Sequence, residues 1–452
     1  MDLSEDLRPL RKSDDLLEVF QQAEKPRSKF RIGTEAEKFA VDSQSGAPLH
    51  YEGERSVKHI FAALLPRGWQ EERETADGPV IALHRGETSI TLEPGSQLEL
   101  SGAALPDIHH TRAELDAHLA ELADVSKEMN LTWLGVGFHP LARQEDLSWV
   151  PKQRYAIMRD YLPTRGSGGQ DMMRRTATVQ ANFDFSDEAD ALKKLYVSLK
   201  LAPLVNMLGA NSPFCEGKLS GFKSRRGQVW LNMDPDRSGL IPALLRAPNP
   251  GYRDYAEWAL DAGMFLIKRG GRVLANTGQK FRDFMANGFQ GERATFGDWK
   301  LHLNTLFPEA RLKSTLEVRG SDSLPSRFGC AVPALFTGIL YDEQALTEAD
   351  SFTHELDLTA LEAARPDLVR LGLKAQVAGK PAQRLAERVL EIAEGGLARR
   401  AIRNDHGDDE RVHLNPLMRL VQGGKTPADA MIEGLGRDSK LSVAEVIRRT
   451  HI

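Results

Sequence analysis

The feature that most constrains the fold is the run from Glu87 to Leu100, ETSITLEPGSQLEL, in which polar and apolar residues alternate. A period of two is typical of β-strands that have one apolar face and one polar face. Pro94-Gly95-Ser96 interrupts the alternation, which predicts a turn or bulge between two strands. Glu87, Glu93 and Glu99 share the polar face, and no basic residue accompanies them. Because a solvated protein surface normally intersperses charges of both signs, this face requires a source of positive charge.

Three further segments alternate in the same way: Phe30–Val41, Thr176–Phe185 and Leu312–Gly320. Four strands of this design suit an antiparallel or mixed sheet with helices covering one face. If the strands are neighbours, several carboxylates converge, and each like-charge pair ~4 Å apart costs about 4 kcal/mol at an effective dielectric near 20. The polar sides of these three segments carry Glu35, Glu37, Gln180, Asn182, Glu317 and Arg319.

Bound cations would offset this repulsion. Oxygen ligands favour Mg²⁺ or Mn²⁺, and the sequence has no His-x₃-His or Cys-x₂-Cys pair of the kind that binds zinc. The alternative interpretation is that the glutamates simply face water. Four independently alternating strands with an excess of acids favour the ion-binding interpretation over the solvated one.

Composition narrows the class of protein. The net charge of −5 and the pI near 6.2 give no reason to expect a nucleic-acid partner. No apolar run approaches the ~20 residues of a membrane span, and the charged N-terminus lacks the apolar core of a signal peptide. Two cysteines fit a reducing compartment. The sequence therefore predicts a cytoplasmic enzyme without a membrane association, present as a monomer or homodimer.

Helical patterns organise the rest of the chain. Three parts are expected: a helical lead-in over 1–29, a catalytic part over 30–355, and helices over 356–452 packed on the same domain. Residues 140–175 lack a clear period and are expected to be irregular. Helices are predicted at Ser56–Leu65, Asp107–Asn130, Asp187–Leu208, Tyr252–Ala262 and Gln383–Ala401.

Two other motifs leave alternatives open. The run Gly166–Gly169 could cradle phosphate through backbone N–H groups, or it could be a flexible loop. The basic cluster Lys223, Arg225 and Arg226 is more typical of a solvated surface than of a site.

Seven motifs, taken together, resemble those of glutamate–cysteine ligases, specifically the plant type that also occurs in proteobacteria. The resemblance runs from about residue 28 through the C-terminal helices. The motifs are RIGTEAEKF, TLEPGSQLELSG, RYAIMRDYLPTRG, DMMRRTATVQANFDF, MDPDRSG, HLNTLFPEARLKSTLEVRG and FGCAVPALFTGILYDE.

The resemblance implies an α+β fold related to glutamine synthetase, in which a curved, largely antiparallel sheet forms a funnel-shaped active site covered by helices. It also implies the reaction. ATP phosphorylates the γ-carboxylate of L-glutamate, and the amine of L-cysteine displaces phosphate to give γ-glutamylcysteine, the first step of glutathione biosynthesis. Two or three Mg²⁺ ions, or Mn²⁺, would neutralise the transferring phosphoryl group.

The resemblance also assigns expected roles to residues. Glu37, Glu93 and Glu99 match ligands of the ion near glutamate, with Glu35 and Glu317 matching those of the ions on the ATP phosphates. Gln180 is a weaker oxygen ligand, and Arg319 would stabilise charge on the phosphoryl group. The substrate-binding residues are expected to be Arg237, for the glutamate α-carboxylate, with Tyr255 and Trp258 for cysteine. The ATP phosphates are expected to meet Arg165, Arg174, Arg175, Lys223 and Arg225.

Two other functions remain open at this point. A related ligase could join glutamate to another amine or serve another thiol pathway. A protein that had lost catalysis could remain a metal-loaded regulator, although the persistence of every acidic position together with both arginines argues against it.

Overall fold

A computed structural model describes residues 6–75, 77–436, 439 and 441–452, and its central element is a nine-stranded open sheet in which every strand pair is antiparallel. The first five residues of the predicted lead-in lie outside the described part. The strands, numbered here in chain order, are β1 Ile32–Asp42, β2 Gln70–Arg73, β3 Val80–Arg85, β4 Thr88–Leu92, β5 Leu98–Ser101, β6 Leu131–Leu134, β7 Thr178–Phe183, β8 Ala310–Leu312 and β9 Leu316–Asp322.

The strand order is β8-β9-β7-β1-β5-β4-β3-β2, and β6 also pairs with β1. The first half of β1 therefore lies between β5 and β7, whereas β2, the next strand along the chain, lies at an edge of the sheet. Short two-stranded pairs occur outside this sheet at Phe214–Cys215 with Lys218–Leu219, Ser238–Gly239 with Phe307–Pro308, Leu266–Arg269 with Arg272–Ala275, and Gln376–Val377 with Lys380–Pro381.

Helices surround the sheet. In the first half of the chain they are α1 Glu18–Gln21, α2 Val57–Leu64, α3 Ile108–Lys127, α4 Gln153–Tyr161, α5 Gly169–Arg175, α6 Glu188–Leu208 and α7 Arg225–Trp230. In the second half they are α8 Pro242–Arg246, α9 Tyr252–Leu260, α10 Phe281–Asn287, α11 Phe296–Asn304, α12 Ala331–Leu340, α13 Glu343–His354, α14 Leu358–Leu371, α15 Ala382–Arg400, α16 Arg411–Gln422, α17 Pro427–Met431 and α18 Val443–Thr450.

The apolar side chains of the strands, which share one parity, form part of the core. Ala36, Leu100, Ala181 and Val318 are buried in one cluster with the side chains of α6, α12 and α15. Helices α3 and α6 begin at residues that cap them. The carboxylates of Asp107 and Asp187 each accept a hydrogen bond from the backbone N–H three residues later. The same cluster contains residues from each of the three predicted segments, for example Leu16, Phe183 and Leu390.

The structure differs from the sequence-based prediction in two places. The segment 140–175, expected to be irregular, contains α4 and α5. The predicted strand Leu312–Gly320 is instead the hairpin of β8 and β9, in which Leu312 pairs with Leu316. A tight turn of this length leaves the alternation of buried and polar residues nearly undisturbed, so the sequence pattern did not reveal it. Among the described helices, none combines the length and the hydropathy needed to cross a lipid bilayer.

Candidate active site

Carboxylate side chains from β1, β5 and β9, and from the turn after β4, lie on one face of the sheet, called here the carboxylate face. In the antiparallel register, Glu37 lies opposite Glu99, Glu35 opposite Gln180, and Glu317 opposite Asn182. Residues directly opposite each other project to the same side of a sheet. The structure thus places together the side chains that parity alone had placed on one face. The face comprises Glu35, Glu37, Glu93, Glu99, Glu317, Gln180, Asn182 and Arg319.

One end of this face, the arginine-paired end, consists of Glu317 and the three cations around it. The Glu317 carboxylate is fully buried and receives two hydrogen bonds from Nη2 of Arg311, at 2.8 and 2.9 Å. Nζ of Lys313 lies 2.5 Å from it and Nε of Arg319 lies 3.1 Å from it. Burial alone would raise the pKa of Glu317, but the attraction of Arg311, Lys313 and Arg319 outweighs burial and holds that pKa well below its usual range.

The other end, the acidic end, consists of Glu37, Glu93 and Glu99. Burial, followed by repulsion from Glu93 and Glu99, raises the pKa of Glu37 well above its ordinary value. Burial and Glu93 likewise raise the pKa of Glu99. Their hydrogen bonds come from neutral donors: the backbone N–H of Thr178 to Glu37 at 3.0 Å, and Oγ of Ser101 to Glu99 at 2.5 Å.

A buried lysine lies near the acidic end without pairing to it. The ammonium of Lys152 donates to the backbone carbonyl of Leu92 at 2.8 Å. Burial lowers the pKa of Lys152 to about 8, and attraction to Glu93 and Glu99 offsets only part of that lowering. In the described part of the chain, no ion pair joins a lysine or arginine to the acidic end. Three carboxylates in a partly dehydrated cluster therefore remain short of positive charge.

Glu35 lies between the two ends. The side-chain amide of Asn182 donates to it at 3.0 Å. Burial, with repulsion from Glu317 and Glu99, raises the pKa of Glu35 to about 7. Glu35 therefore responds to the charge state of both ends.

The turn that carries Glu93 is held by α5. The amide of Gln97 donates to the backbone carbonyls of Met173 and Thr176, at 3.2 and 2.9 Å, and its oxygen accepts from the N–H of Gly95. A Cβ atom at Gly95 would lie 2.5 to 2.9 Å from the backbone and Cβ of Arg174. Glycine is required there because the β4–β5 turn and the end of α5 are in direct contact.

Carboxylate oxygens are the ligands that hard cations such as Mg²⁺ prefer, but the carboxylates of this face do not converge on one point. Among the residues that the structure describes, no group of three or more His, Cys, Asp or Glu side chains is close enough to hold a metal ion as it stands. Mg²⁺ usually keeps several waters and takes only one or two carboxylates from the protein, so a loosely arranged face of oxygen donors is compatible with it. The raised pKa values of Glu37 and Glu99 are what such a donor set shows without its cation.

Arg319 connects the carboxylate face to two aromatic rings. Its Nε lies 3.4 Å from Oε1 of Gln180 as well as 3.1 Å from Glu317. Its guanidinium carbon lies 5.5 Å from the ring centre of Trp230 and 5.3 Å from that of Phe307. Burial and the neighbouring Arg311 lower the pKa of Arg319 to about 10, so the side chain remains a cation at neutral pH.

Arg237, predicted to bind the glutamate α-carboxylate, instead has a structural role. The side chain is fully buried, and its Nε donates to Asp234 at 2.8 Å. Its remaining donors meet the carbonyls of Thr305 and Gly263, and Phe265 lies against the guanidinium at 4.0 Å. A substrate could reach Arg237 only by breaking this network.

The predicted cysteine-pocket residues also belong to the core. Tyr255 is fully buried, and its hydroxyl accepts the N–H of Leu312, behind the arginine-paired end. Trp258 packs against Tyr255, with ring centres 5.4 Å apart. Tyr255 thus supports the β8–β9 hairpin, whereas Trp258 is only partly buried.

The five residues predicted to bind phosphate are not gathered into one cluster, and each has an acidic or backbone partner. Arg165 pairs with Asp234 and Asp236, and Arg174 donates to the Leu147 carbonyl beneath Trp149. The other pairs are Arg175 with Asp171 and Glu216, Lys223 with Asp429, and Arg225 with Asp171.

The sequence-based site omitted three residues near this face, Trp230, Arg311 and Lys313, and the sequence favoured a solvated surface for Arg226, which is buried. Arg311 has the same parity as Glu317 and lies one residue before the predicted strand, so extending the alternation by one residue would have found it. Lys313 lies in the turn between β8 and β9, from which it reaches Glu317. Nothing in the local pattern marked Trp230.

Comparison with known proteins gives a consistent result over nearly the whole chain. The sequence profile of glutamate-cysteine ligase family 2 matches residues 31–446. The chain is 41% identical over 429 residues to the chloroplastic glutamate–cysteine ligase of Medicago truncatula, covering 94% of this chain and 82% of the relative. It is 39% identical over 423 residues to the Arabidopsis thaliana enzyme, covering 93% and 79%.

A solved structure shares the fold at low sequence identity. The glutamate–cysteine ligase of Francisella tularensis, crystallised in complex with AMP, matches with a TM-score of 0.57 and 14% identity. The match covers 93% of this chain and 88% of that one.

Proposed function

The chain belongs to the glutamate–cysteine ligase family, which catalyses the first step of glutathione biosynthesis, and from this membership we propose that its carboxylate face is where glutamate and cysteine are joined at the expense of ATP. The observation that carries this assignment is the contrast within the face. One end provides cations for a phosphoryl group. At the other end, no lysine or arginine of the described chain forms an ion pair with the glutamates, which can take cations from solution.

The chemistry requires an activated carboxyl group. An oxygen of the glutamate γ-carboxylate attacks the terminal phosphorus of ATP, which forms an acyl phosphate and releases ADP. The cysteine amine, as the free base, then adds to the acyl carbon, and phosphate leaves with the electron pair of the C–O bond. In phosphoryl transfer most of the catalysis is positioning and stabilisation of the negative charge on the transferring oxygens.

The arginine-paired end can stabilise the negative charge on the transferring oxygens. Arg311 and Lys313 are held by Glu317, and Arg319 extends from the same carboxylate along the face. Because a guanidinium can donate two parallel hydrogen bonds to phosphate or carboxylate oxygens, we assign Arg319 to the transferring phosphoryl group. Glu317 acts mainly by orienting these cations.

The acidic end fits Mg²⁺. Glu37, Glu93 and Glu99 would hold one ion. A second ion would take its oxygen ligands from Glu35, Glu317 and Gln180. When bound, Mg²⁺ supplies charge neutralisation for the ATP phosphates and the glutamate γ-carboxylate. Mn²⁺, with the same preference for oxygen, is the expected substitute.

The assignment is tested by ADP release with ATP, L-glutamate and a panel of amines, in Mg²⁺ and in EDTA. The expected result is release that requires glutamate, cysteine and a divalent ion together. No glutamate-dependent ADP release with any amine would overturn the enzyme assignment, and release with another amine but little with cysteine would favour the related ligase.

The location of the ion is tested separately from activity. Titration of Mn²⁺ followed by electron paramagnetic resonance should show binding to the wild type and loss of the tightest site in Glu93→Gln. Unchanged Mn²⁺ binding in that variant would place the ion elsewhere.

A further inference from the structure

Glu93 differs from the other two carboxylates of the acidic end in the element that carries it. Glu37 lies within β1 and Glu99 within β5, whereas Glu93 lies in the turn between β4 and β5. Glu37 and Glu99 are buried and accept hydrogen bonds, but Glu93 is only partly buried. Within the described part of the chain, the Glu93 carboxylate has neither a hydrogen bond nor an ion pair. This carboxylate is therefore free to bind a ligand, and its position depends on the turn.

Contacts with α4 fix the turn on the side of β4. The backbone carbonyl of Leu92 accepts hydrogen bonds from Nζ of Lys152 and from the hydroxyl of Tyr155, at 2.8 and 2.7 Å. The N–H of Val150, just before α4, donates to the carbonyl of Pro94 at 2.9 Å. The carbonyls before and after the turn glutamate are therefore both held by the segment that contains α4.

The side chain of Gln97 fixes the turn on the side of β5. Gln97 is 1% exposed, and its backbone carbonyl accepts the N–H of Glu93 at 3.0 Å. Its side-chain oxygen accepts the N–H of Gly95, and its amide donates to the carbonyls of Met173 and Thr176 at the end of α5. The last carbonyls of a helix have no partner within the helix, so this one side chain caps α5 and holds the turn at the same time.

The backbone at Ser96 shows that the turn is held in a locally unfavourable conformation. Its φ is 68°, in the left-handed region that residues other than glycine rarely adopt. The hydroxyl of Ser96 is buried and has no hydrogen-bond partner among the described residues. Such features persist only where the surrounding structure imposes them, and here the contacts with α4 and α5 do so.

We propose that Gln97 is a positioning residue for the ion of the acidic end. By tying the turn to α5, its side chain sets where the Glu93 carboxylate stands relative to Glu37 and Glu99. Gln97 does not contact the ion itself and acts through Glu93. The proposal rests on the function proposed above, in which these three glutamates hold one divalent ion. Residues that orient metal ligands from behind commonly affect metal affinity almost as strongly as the ligands do.

The first test removes the hydrogen bonds of Gln97 and keeps its bulk. Gln97→Met has a side chain of similar length that can neither donate to α5 nor accept from Gly95. In a Mn²⁺ titration followed by electron paramagnetic resonance, the dissociation constant of the tightest site should rise about 10- to 100-fold. Unchanged Mn²⁺ affinity in the folded variant overturns the proposal.

Steady-state kinetics separate positioning of the ion from general damage to the site. In Gln97→Met the apparent KM for Mg²⁺ should rise by the same factor as the Mn²⁺ dissociation constant, while kcat at saturating Mg²⁺ stays close to the wild-type value, because excess ion refills the site. A fall in kcat that saturating Mg²⁺ does not restore, with an unchanged KM for Mg²⁺, overturns the proposal.

A second variant separates the turn from α5 without changing Gln97. In Gly95→Ala the new Cβ atom would lie 2.5 to 2.9 Å from atoms of Arg174, so the turn must move away from α5. The same loss of Mn²⁺ affinity is expected. If Gln97→Met does not fold, Gly95→Ala decides the matter, and unchanged Mn²⁺ affinity in the folded protein overturns the proposal.

Gln383→Met is the matched control. The amide of Gln383 also donates to a carbonyl in the last turn of a helix, that of Val421 in α16, at 3.3 Å, but it lies among the C-terminal helices. This variant should leave the Mn²⁺ affinity unchanged, and an equal loss in it would overturn the proposal by assigning the effect to general destabilisation. Failure of the proposed function is a different result, in which the wild type itself shows no tight Mn²⁺ site that Glu93→Gln removes.

Discussion

The two ends of the carboxylate face use the same residue type on the same sheet for opposite purposes. At the arginine-paired end, the chain supplies three cations to one buried glutamate, whose pKa is held low. At the acidic end, three glutamates crowd together among neutral donors, and the pKa values of Glu37 and Glu99 rise. The difference shows that burial does not decide the state of a carboxylate; the cations within reach do. In the folded chain the glutamate at one end is already paired with cations, whereas the glutamates at the other end need an ion from solution.

The largest expected effect is the loss of activity when the acidic end loses a charge. Glu99→Gln should lower kcat/KM by at least about 1,000-fold, because the substitution removes an ion ligand whose transition-state contribution is several kcal/mol. Steady-state ADP release at saturating Mg²⁺ measures it. Glu87→Gln is the control, since Glu87 has the same parity in the same run but is exposed. A near-normal rate in Glu99→Gln would mean that the acidic end is not an ion site.

The next effect is on stability, at the opposite end. Glu317→Gln should lower the free energy of unfolding by about 3–5 kcal/mol, because Arg311, Lys313 and Arg319 would remain buried without their counterion. Urea denaturation in EDTA measures the change. A loss below about 1 kcal/mol would show that the three cations relax into solvent, and the contrast between the ends would then be weaker than the contacts indicate.

The pH dependence of stability should separate the ends further. The pKa of Glu35 is raised to about 7 in the folded state, so its contribution to stability is complete below its unfolded value near 4.5 and is lost as pH rises through 7. In EDTA, the free energy of unfolding should therefore fall by ~2–3 kcal/mol between pH 5 and 7.5 from this group. Urea curves at both pH values test it. The fall should shrink in Glu35→Gln, and an equal fall in that variant would assign it to other groups.

The smallest expected effect has the opposite sign to that of Glu317→Gln. Without metal at pH 8, Glu99→Gln should raise the free energy of unfolding by about 1 kcal/mol, because it relieves repulsion within the acidic end. The same variant should lose most of the stabilisation that Mg²⁺ gives the wild type. Thermal unfolding with and without Mg²⁺ measures both. If Glu99→Gln destabilised the metal-free protein, hydrogen bonds such as that from Ser101 would be more important than repulsion.

The sequence predicted the sheet and its polar face well, because alternation along a strand is a local property. The strands bearing Glu35, Glu99 and Gln180 were all found, as was the strand that ends just before Glu93, and the turn at Pro94-Gly95-Ser96 is confirmed. The α+β fold with a large antiparallel sheet is also confirmed.

The sequence was least informative where a side chain's partners are distant along the chain. Arg237 looked available because a sequence does not show the carbonyls of Gly263 and Thr305 beside it. Its ion-pair partner Asp234, three residues earlier, was a local hint that its charge was already used. Nε of Arg226, Nε1 of Trp230 and Nη1 of Arg319 are buried without a hydrogen-bond partner in the described part of the chain. The sequence could not show this either, since it arises only once α7 and β9 are in contact.

The order of the strands has a consequence for how the protein is made. The three glutamates of the acidic end are all present in the chain by residue 99, whereas the arginine-paired end needs β8 and β9, more than 200 residues later on the ribosome. Until Thr178–Phe183 has been synthesised, β1 lacks its neighbour β7 and leaves a strand edge open. Long-range pairing of this kind slows folding and exposes edges to aggregation. We therefore expect the unpaired edge of β1 to be a segment prone to aggregation in nascent chains that lack β7.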